Sequence, residues 1–130
     1  MYVLGIDYGE KRVGLAIASV VAKLPQPLKT VTADETLADE LRRTVEHEHV
    51  SELIVGLARN MDGTLGPQAA RCRVFGEMLA KELGLPVHFV DETLSSVEAE
   101  AYYRLPAYTA AGLDAAAAAC ILERYFEENP

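Results

Sequence analysis

Cysteine is scarce in this chain. The two present in 130 residues, Cys72 and Cys120, stand at no metal-ligand spacing, which excludes a zinc site. In a cytosolic protein such thiols stay reduced and partly buried. Arg71 and Arg73 flank Cys72, but neighbours in sequence leave a helix in different directions, so they give little reason to expect a reactive thiol. Positive charge is short as well. Twelve Lys and Arg against 20 Asp and Glu leave a net charge of −8. Phosphate neutralisation supplies much of the affinity for nucleic acid, so any such surface here must be local and weak without a divalent metal. Much of the excess acid lies in Asp34 to Glu48 and Glu123 to Glu128, on expected solvated helix faces. No apolar run approaches the roughly 20 residues of a membrane span. The first residues enter a strand pattern directly, without the makeup of a secretory signal. A cytoplasmic location with no membrane partner is expected. His47 and His49 are two apart on an expected helix and share no face, and His88 alternates within a strand. Walker, nucleophile-elbow and zinc motifs are all missing.

What is present is an ordinary globular composition, half hydrophobic and a quarter charged, of a length expected to make one domain over 1–130. Residues 2–8 read as a buried strand. Residues 12–19 read as its hairpin partner, with Val13, Leu15 and Ile17 alternating against Gly14, Ala16 and Ala18. The small residues make a face that a helix can approach closely. Pro25 and Pro27 break the next stretch, and Leu28 to Val31 suit an edge strand. Thr32-Ala33-Asp34-Glu35 has the form of a capping box, opening a helix with Leu37, Leu41 and Val45 inward. Leu53 to Leu57 is a short, wholly apolar strand of the kind found inside parallel sheets. A polar loop from Arg59 to Gly66 leads to a helix with Pro67 at its first position and Gly84 at its stop. Val87 to Val90 is the last strand. Ser95-Ser96-Val97-Glu98 is a second capping box, and an alanine-rich helix begins at Asp114. The order β-β-β-α-β-α-β-α-α predicts an α/β fold, a mixed five-stranded sheet flanked by helices.

Three acidic positions carry the chemistry. Asp7 ends the first strand, where ligands bind in open α/β sheets. Asp7-Tyr8-Gly9 is equally compatible with a plain turn. Asp91-Glu92 ends the last strand, and alternation allows at most one of the two to share a face with Asp7. Asp114 suits an N-cap, but Ala115 to Ala119 would let its helix pack tightly and carry it to the strand ends. Carboxylates are the ligands that Mg²⁺ and Mn²⁺ prefer. Two such ions about 4 Å apart can activate a water and stabilise the leaving oxygen of a phosphodiester.

These residues resemble the YqgF/RuvX family, relatives of the RuvC Holliday junction resolvases. Gly5-Ile6-Asp7-Tyr8-Gly9 with Lys11-Arg12-Val13-Gly14-Leu15-Ala16 is similar to its opening block. Ile54-Val55-Gly56-Leu57 with Asn60 to Thr64 and Gly66-Pro67-Gln68 is similar to its central block, with Phe75 in the helix that follows. Asp91-Glu92 with Leu94 to Ser96, and Asp114 to Ala117 with Ile121-Leu122, resemble the third and fourth. The resemblance implies an RNase H-like fold and a divalent-metal nuclease. Asp7, Glu92 and Asp114 fall on its catalytic and metal-binding acids, and the choice of Glu92 over Asp91 rests on that analogy. Mg²⁺ or Mn²⁺ is the implied cofactor. The implied substrate is the 5′ end of pre-16S rRNA or, in some members, a Holliday junction, cut by a monomer or a homodimer. Lys11, Arg12, Arg59, Asn60 and Arg71 are the implied nucleic-acid contacts.

The chain departs from the family pattern at Val20, at Ala58, at Thr93 after Asp-Glu, and in Arg104 to Leu113, which lacks the usual lysines. The last two remove positive charge beside the acids and leave Arg59, Arg71 and Arg73 as nearby replacements. Two other functional classes are compatible with parts of the chain. Sugar kinases and actin-like ATPases share the Gly-Ile-Asp-x-Gly strand turn but need two such domains. A non-catalytic RNA-binding assembly module would suit the low positive charge.

Overall fold

Alternation of branched and small residues builds the first hairpin. In the computed structural model, which describes residues 1–58, 66–92 and 112–130 (Ala58 and Glu92 through their backbone alone), β1 (Tyr2–Tyr8) pairs antiparallel with β2 (Arg12–Ser19). The turn between them is closed by the Gly9 amide donating to the Arg12 carbonyl at 3.0 Å. β3 (Gln26–Thr32) adds to the outer side of β2. Pro27 lies inside β3, opposite Ala16 and beside a register shift between Leu15 and Ala16. An edge strand tolerates the missing amide there. β4 (Val50–Ala58) and β5 (Val87–Glu92) run parallel to β1, giving the sheet order β3-β2-β1-β4-β5.

Three described helices cover the two faces. α1 (Leu37–Glu48) and α2 (Pro67–Leu83) lie on one side, and α3 (Leu113–Glu128) on the other. The α1/α2 side is filled by Leu4, Ile6, Val13, Leu15, Leu53, Val55, Leu57, Phe75 and Leu79. The α3 side is built from much smaller residues: Ala16, Ala18, Ala116, Ala118 and Ala119, with Ile54, Ile121 and Leu122. Pro67 and Gly84 bound α2 as expected, with Gly84 in the left-handed conformation at φ 68°.

Two expectations need correction. Thr32 to Glu35 is no capping box: Thr32 pairs with Arg12 as the last residue of β3, and the helix starts at Leu37. Asp34 organises the turn instead, accepting from the Thr36 amide at 2.9 Å and its hydroxyl at 2.6 Å. β5 also runs two residues beyond Val90, because Asp91 and Glu92 continue the ladder opposite Leu57 and Ala58. The helix expected from Ser95 lies outside the described residues.

Candidate metal centre

Along β1, Val3 and Gly5 meet the α3 side, so Asp7 follows on that side by alternation. Its cross-strand partner is Gly14. A Cβ on Gly14 would stand 1.9 Å from the Asp114 carbonyl oxygen, so the first turn of α3 rests on bare backbone there. One helical row of α3, Asp114–Ala118–Leu122, crosses from Gly14 to Gly5, where a Cβ would meet Leu122 at 2.6 Å and the Ala118 carbonyl at 2.8 Å. Two glycines on adjacent strands therefore set the height of α3 and bring Asp114 beside the end of β1. The capping position belongs to Gly112, at φ 96°, and Asp114 lies within the first turn. There the helix dipole favours a negative charge.

The Asp114 charge acts on Asp7. The Asp7 pKa rises from 3.8 to about 6, first because the carboxyl is partly buried and second because the Asp114 charge lies nearby. Arg12, at the start of β2, donates from Nε to Asp114 Oδ2 at 2.9 Å. This guanidinium is 68% exposed, so the pair is a weak, solvent-screened one.

Strand register separates Asp91 from Glu92. His88 meets the Tyr125 ring of α3, and Val90 lies in the α3-side core. Asp91 pairs with Leu57, whose side chain belongs to the α1/α2 core, whereas Glu92 pairs with Ala58. Asp91 therefore lies out of phase with His88 and Val90, on the opposite face of the sheet from Asp7. No group of three His, Cys, Asp or Glu that could hold a metal forms among the described residues. The described carboxylates form a pair, and the Glu92 side chain falls outside. That pair fits a hard divalent cation, being oxygen-only, like-charged and partly withdrawn from water. A bound cation would relieve the repulsion that contributes to the raised Asp7 pKa.

The expected nucleic-acid contacts divide. Lys11 and Arg12 are exposed at the β1–β2 turn, Arg12 being turned onto Asp114. Arg71, on α2, donates to Glu10 and, at 3.4 Å, to Gln68. Arg73 instead lies over the Phe89 ring, 5.1 Å from its centroid. Arg59 and Asn60 lie outside the described residues. Cys72 and Cys120 are buried and form no disulfide, and Cys72 bonds weakly to the Tyr8 carbonyl at 3.9 Å. Sequence reasoning missed Tyr8, which stacks on Phe75. Its available signal was an aromatic residue at the strand end, out of phase with Asp7.

The RuvX family profile, described as Holliday junction resolvase, matches residues 1–128. The chain belongs to the RuvX family. Curated relatives include a Chloroflexus aggregans protein, 39% identical over 136 residues, covering 98% of this chain and 96% of its own. Another, from Gloeobacter violaceus, is 36% identical over 129 residues, covering 96% and 83%. Both are provisionally named pre-16S rRNA nucleases. Among solved structures, Thermus thermophilus RuvC superposes with a TM-score of 0.63 at 16% identity, covering 98% of this chain and 95% of that one. Fowlpox virus resolvase, in complex with substrate Holliday junction DNA, superposes at 0.60 and 12% identity, covering 99% and 98%. Such identities speak for the fold alone, which is RNase H-like, as the sequence resemblance implied.

Proposed function

We propose that this RuvX-family chain is a divalent-metal-dependent endonuclease, with Asp7, Glu92 and Asp114 as metal-binding acids. Its physiological substrate in this reading is pre-16S rRNA, as the names of its relatives suggest, cut at the 5′ end that the sequence resemblance implies. The observation that carries the proposal is the Asp7–Asp114 pair. Fold stability alone gives no reason to dock a helix so that its acid raises the pKa of another partly buried acid. Mg²⁺ or Mn²⁺ bound there would activate a water and stabilise the leaving oxygen.

The residues of the chain supply position and charge. The end of β1 fixes the Asp7 backbone between two paired strands, and the Gly14 contact fixes the first turn of α3. Asp7 must be ionised to bind a cation, so metal affinity rises with pH through about 6. Arg12 holds the Asp114 carboxylate and, being exposed, would be free to reach a substrate phosphate if a cation were bound at that carboxylate. Lys11 adds charge at the same turn.

The test is cleavage of an rRNA precursor, single-stranded RNA and a four-way DNA junction with Mg²⁺ or Mn²⁺. Asp7→Asn should abolish cutting while the fold persists. Metal-dependent cutting that survives Asp7→Asn would overturn the site assignment. A preference for the junction would favour the resolvase description that the family carries. No cutting of any substrate would favour a binding module.

A further inference from the structure

Tyr8 follows Asp7 on β1 and faces the other side of the sheet. There it lines an open, apolar groove of about 440 Å³ with Ala70, Arg71, Val74, Phe75 and Met78 of α2. The Tyr8 and Phe75 rings are stacked, with centroids 4.0 Å apart and planes 17° from parallel. Positions 71, 74, 75 and 78 form one helical stripe. On a solvated helix its outer members would be polar, yet Val74 is 66% and Met78 46% exposed. Arg71 adds a guanidinium at the rim. Its partner there, Glu10, is itself exposed, so the pair is weak and easily exchanged for a phosphate.

Aromatic and apolar walls with a cation at the rim match a nucleobase and its phosphate. The groove lies on the opposite face of the sheet from Asp7 but at the same end of β1, so a strand that crosses that end can reach both. A patch of six residues is far smaller than the roughly 20–30 residues a side of a stable protein interface, which disfavours a second copy as its occupant. We propose that this groove is a stacking subsite for one unpaired base of the substrate strand, flanking the phosphate held at Asp7. Arg71 takes the adjoining phosphate. Bases inside a duplex are already stacked on one another, so the subsite selects unpaired strand. This rests on the nuclease reading only for the position of the cut.

The probe is a short single-stranded RNA carrying 2-aminopurine at each position in turn, mixed with metal-free protein so that nothing is cut. The wild type should quench the fluorescence at one position. Tyr8→Leu should lose that quenching, and Tyr8→Phe should keep it. Val74→Lys, at an exposed position that leaves the core untouched, should also lose it despite the added positive charge. In cleavage assays Tyr8→Leu should raise KM for single strand by about 5- to 150-fold, the loss of one stacked base, with kcat little changed and duplex binding unaffected. Quenching unchanged in both Tyr8→Leu and Val74→Lys would overturn the subsite. So would a dimer in solution that Val74→Lys converts to monomer, because the groove would then hold a second copy. Variant-sensitive quenching by a protein that cuts nothing would sink the nuclease reading and leave the subsite standing.

Discussion

The two faces of the sheet are built from opposite materials. The α1/α2 face buries large side chains such as Leu4, Ile6, Leu15, Leu53 and Leu79. The α3 face offers Gly5, Gly14, Ala16 and Ala18 to a helix of alanines. Burial of bulk stabilises a fold, at roughly 25 cal/mol per Å² of apolar area. Smallness contributes less area, but it allows close approach. The first face therefore holds the molecule together, and the second sets where Asp114 stands relative to Asp7. Stability and chemistry are carried on opposite sides of the same strands.

Substitutions can break that division of labour. The largest effect on activity belongs to Asp7→Asn. It should lower the cleavage rate by more than about 100-fold, the upper end for losing even an outer partner of a metal. The circular dichroism spectrum should stay native. Leu53→Ala, on the bulky face, should cost about 2–5 kcal/mol of stability in urea denaturation. The molecules that remain folded should cut at the wild-type rate. Gly14→Ala should show the reverse pattern. A methyl group there meets helix backbone, so α3 must lift, at about 1–3 kcal/mol. Metal affinity, read by calorimetry with Mn²⁺, should fall by far more than that stability loss would suggest. If Gly14→Ala unfolds the protein without disturbing the site, the division between faces is wrong.

A subtler effect concerns pH. The folded-state pKa of Asp7 is raised to about 6 from 3.8. The protonated form is therefore the one that folding favours. Its contribution is fully present below about pH 4 and is lost as pH rises through 6. Metal-free Asp7→Asn should thus be more stable than wild type at pH 8, by on the order of 3 kcal/mol. The two should converge near pH 4 in thermal melts. Arg12→Ala should give the smallest change, a few-fold gain in Mn²⁺ affinity as the competing guanidinium leaves Asp114, with weaker substrate binding.

Much of this arrangement was legible before the structure. Alternation of Gly14, Ala16 and Ala18 against Val13, Leu15 and Ile17 announced a face for a close helix, and the alanines after Asp114 announced the helix. The errors have a common cause. Thr32 to Glu35 has the local form of a cap, but pairing of Thr32 with Arg12 overrides it. The apolar run that marks the last strand stops at Val90, but pairing with β4 extends the ladder through Asp91 and Glu92. Long-range pairing won over local chemistry in both places. Alternation alone stated that Asp91 and Glu92 part company. The choice of Glu92 rests on the family resemblance. The Arg12–Asp114 pair spans 102 positions, and the Tyr8–Phe75 stack joins a strand to a helix 67 positions on. No periodicity in the chain encodes either contact.

The central claim is that the helix on the glycine face places Asp114 where it acts on Asp7. Carbon-detected NMR titration of the Asp7 carboxyl in metal-free protein, wild type against Asp114→Asn, tests it most directly. The account predicts a midpoint near 6 in wild type. In Asp114→Asn the midpoint should fall yet stay above 3.8, because burial persists. An Asp7 that titrates at its ordinary value in both proteins would contradict it.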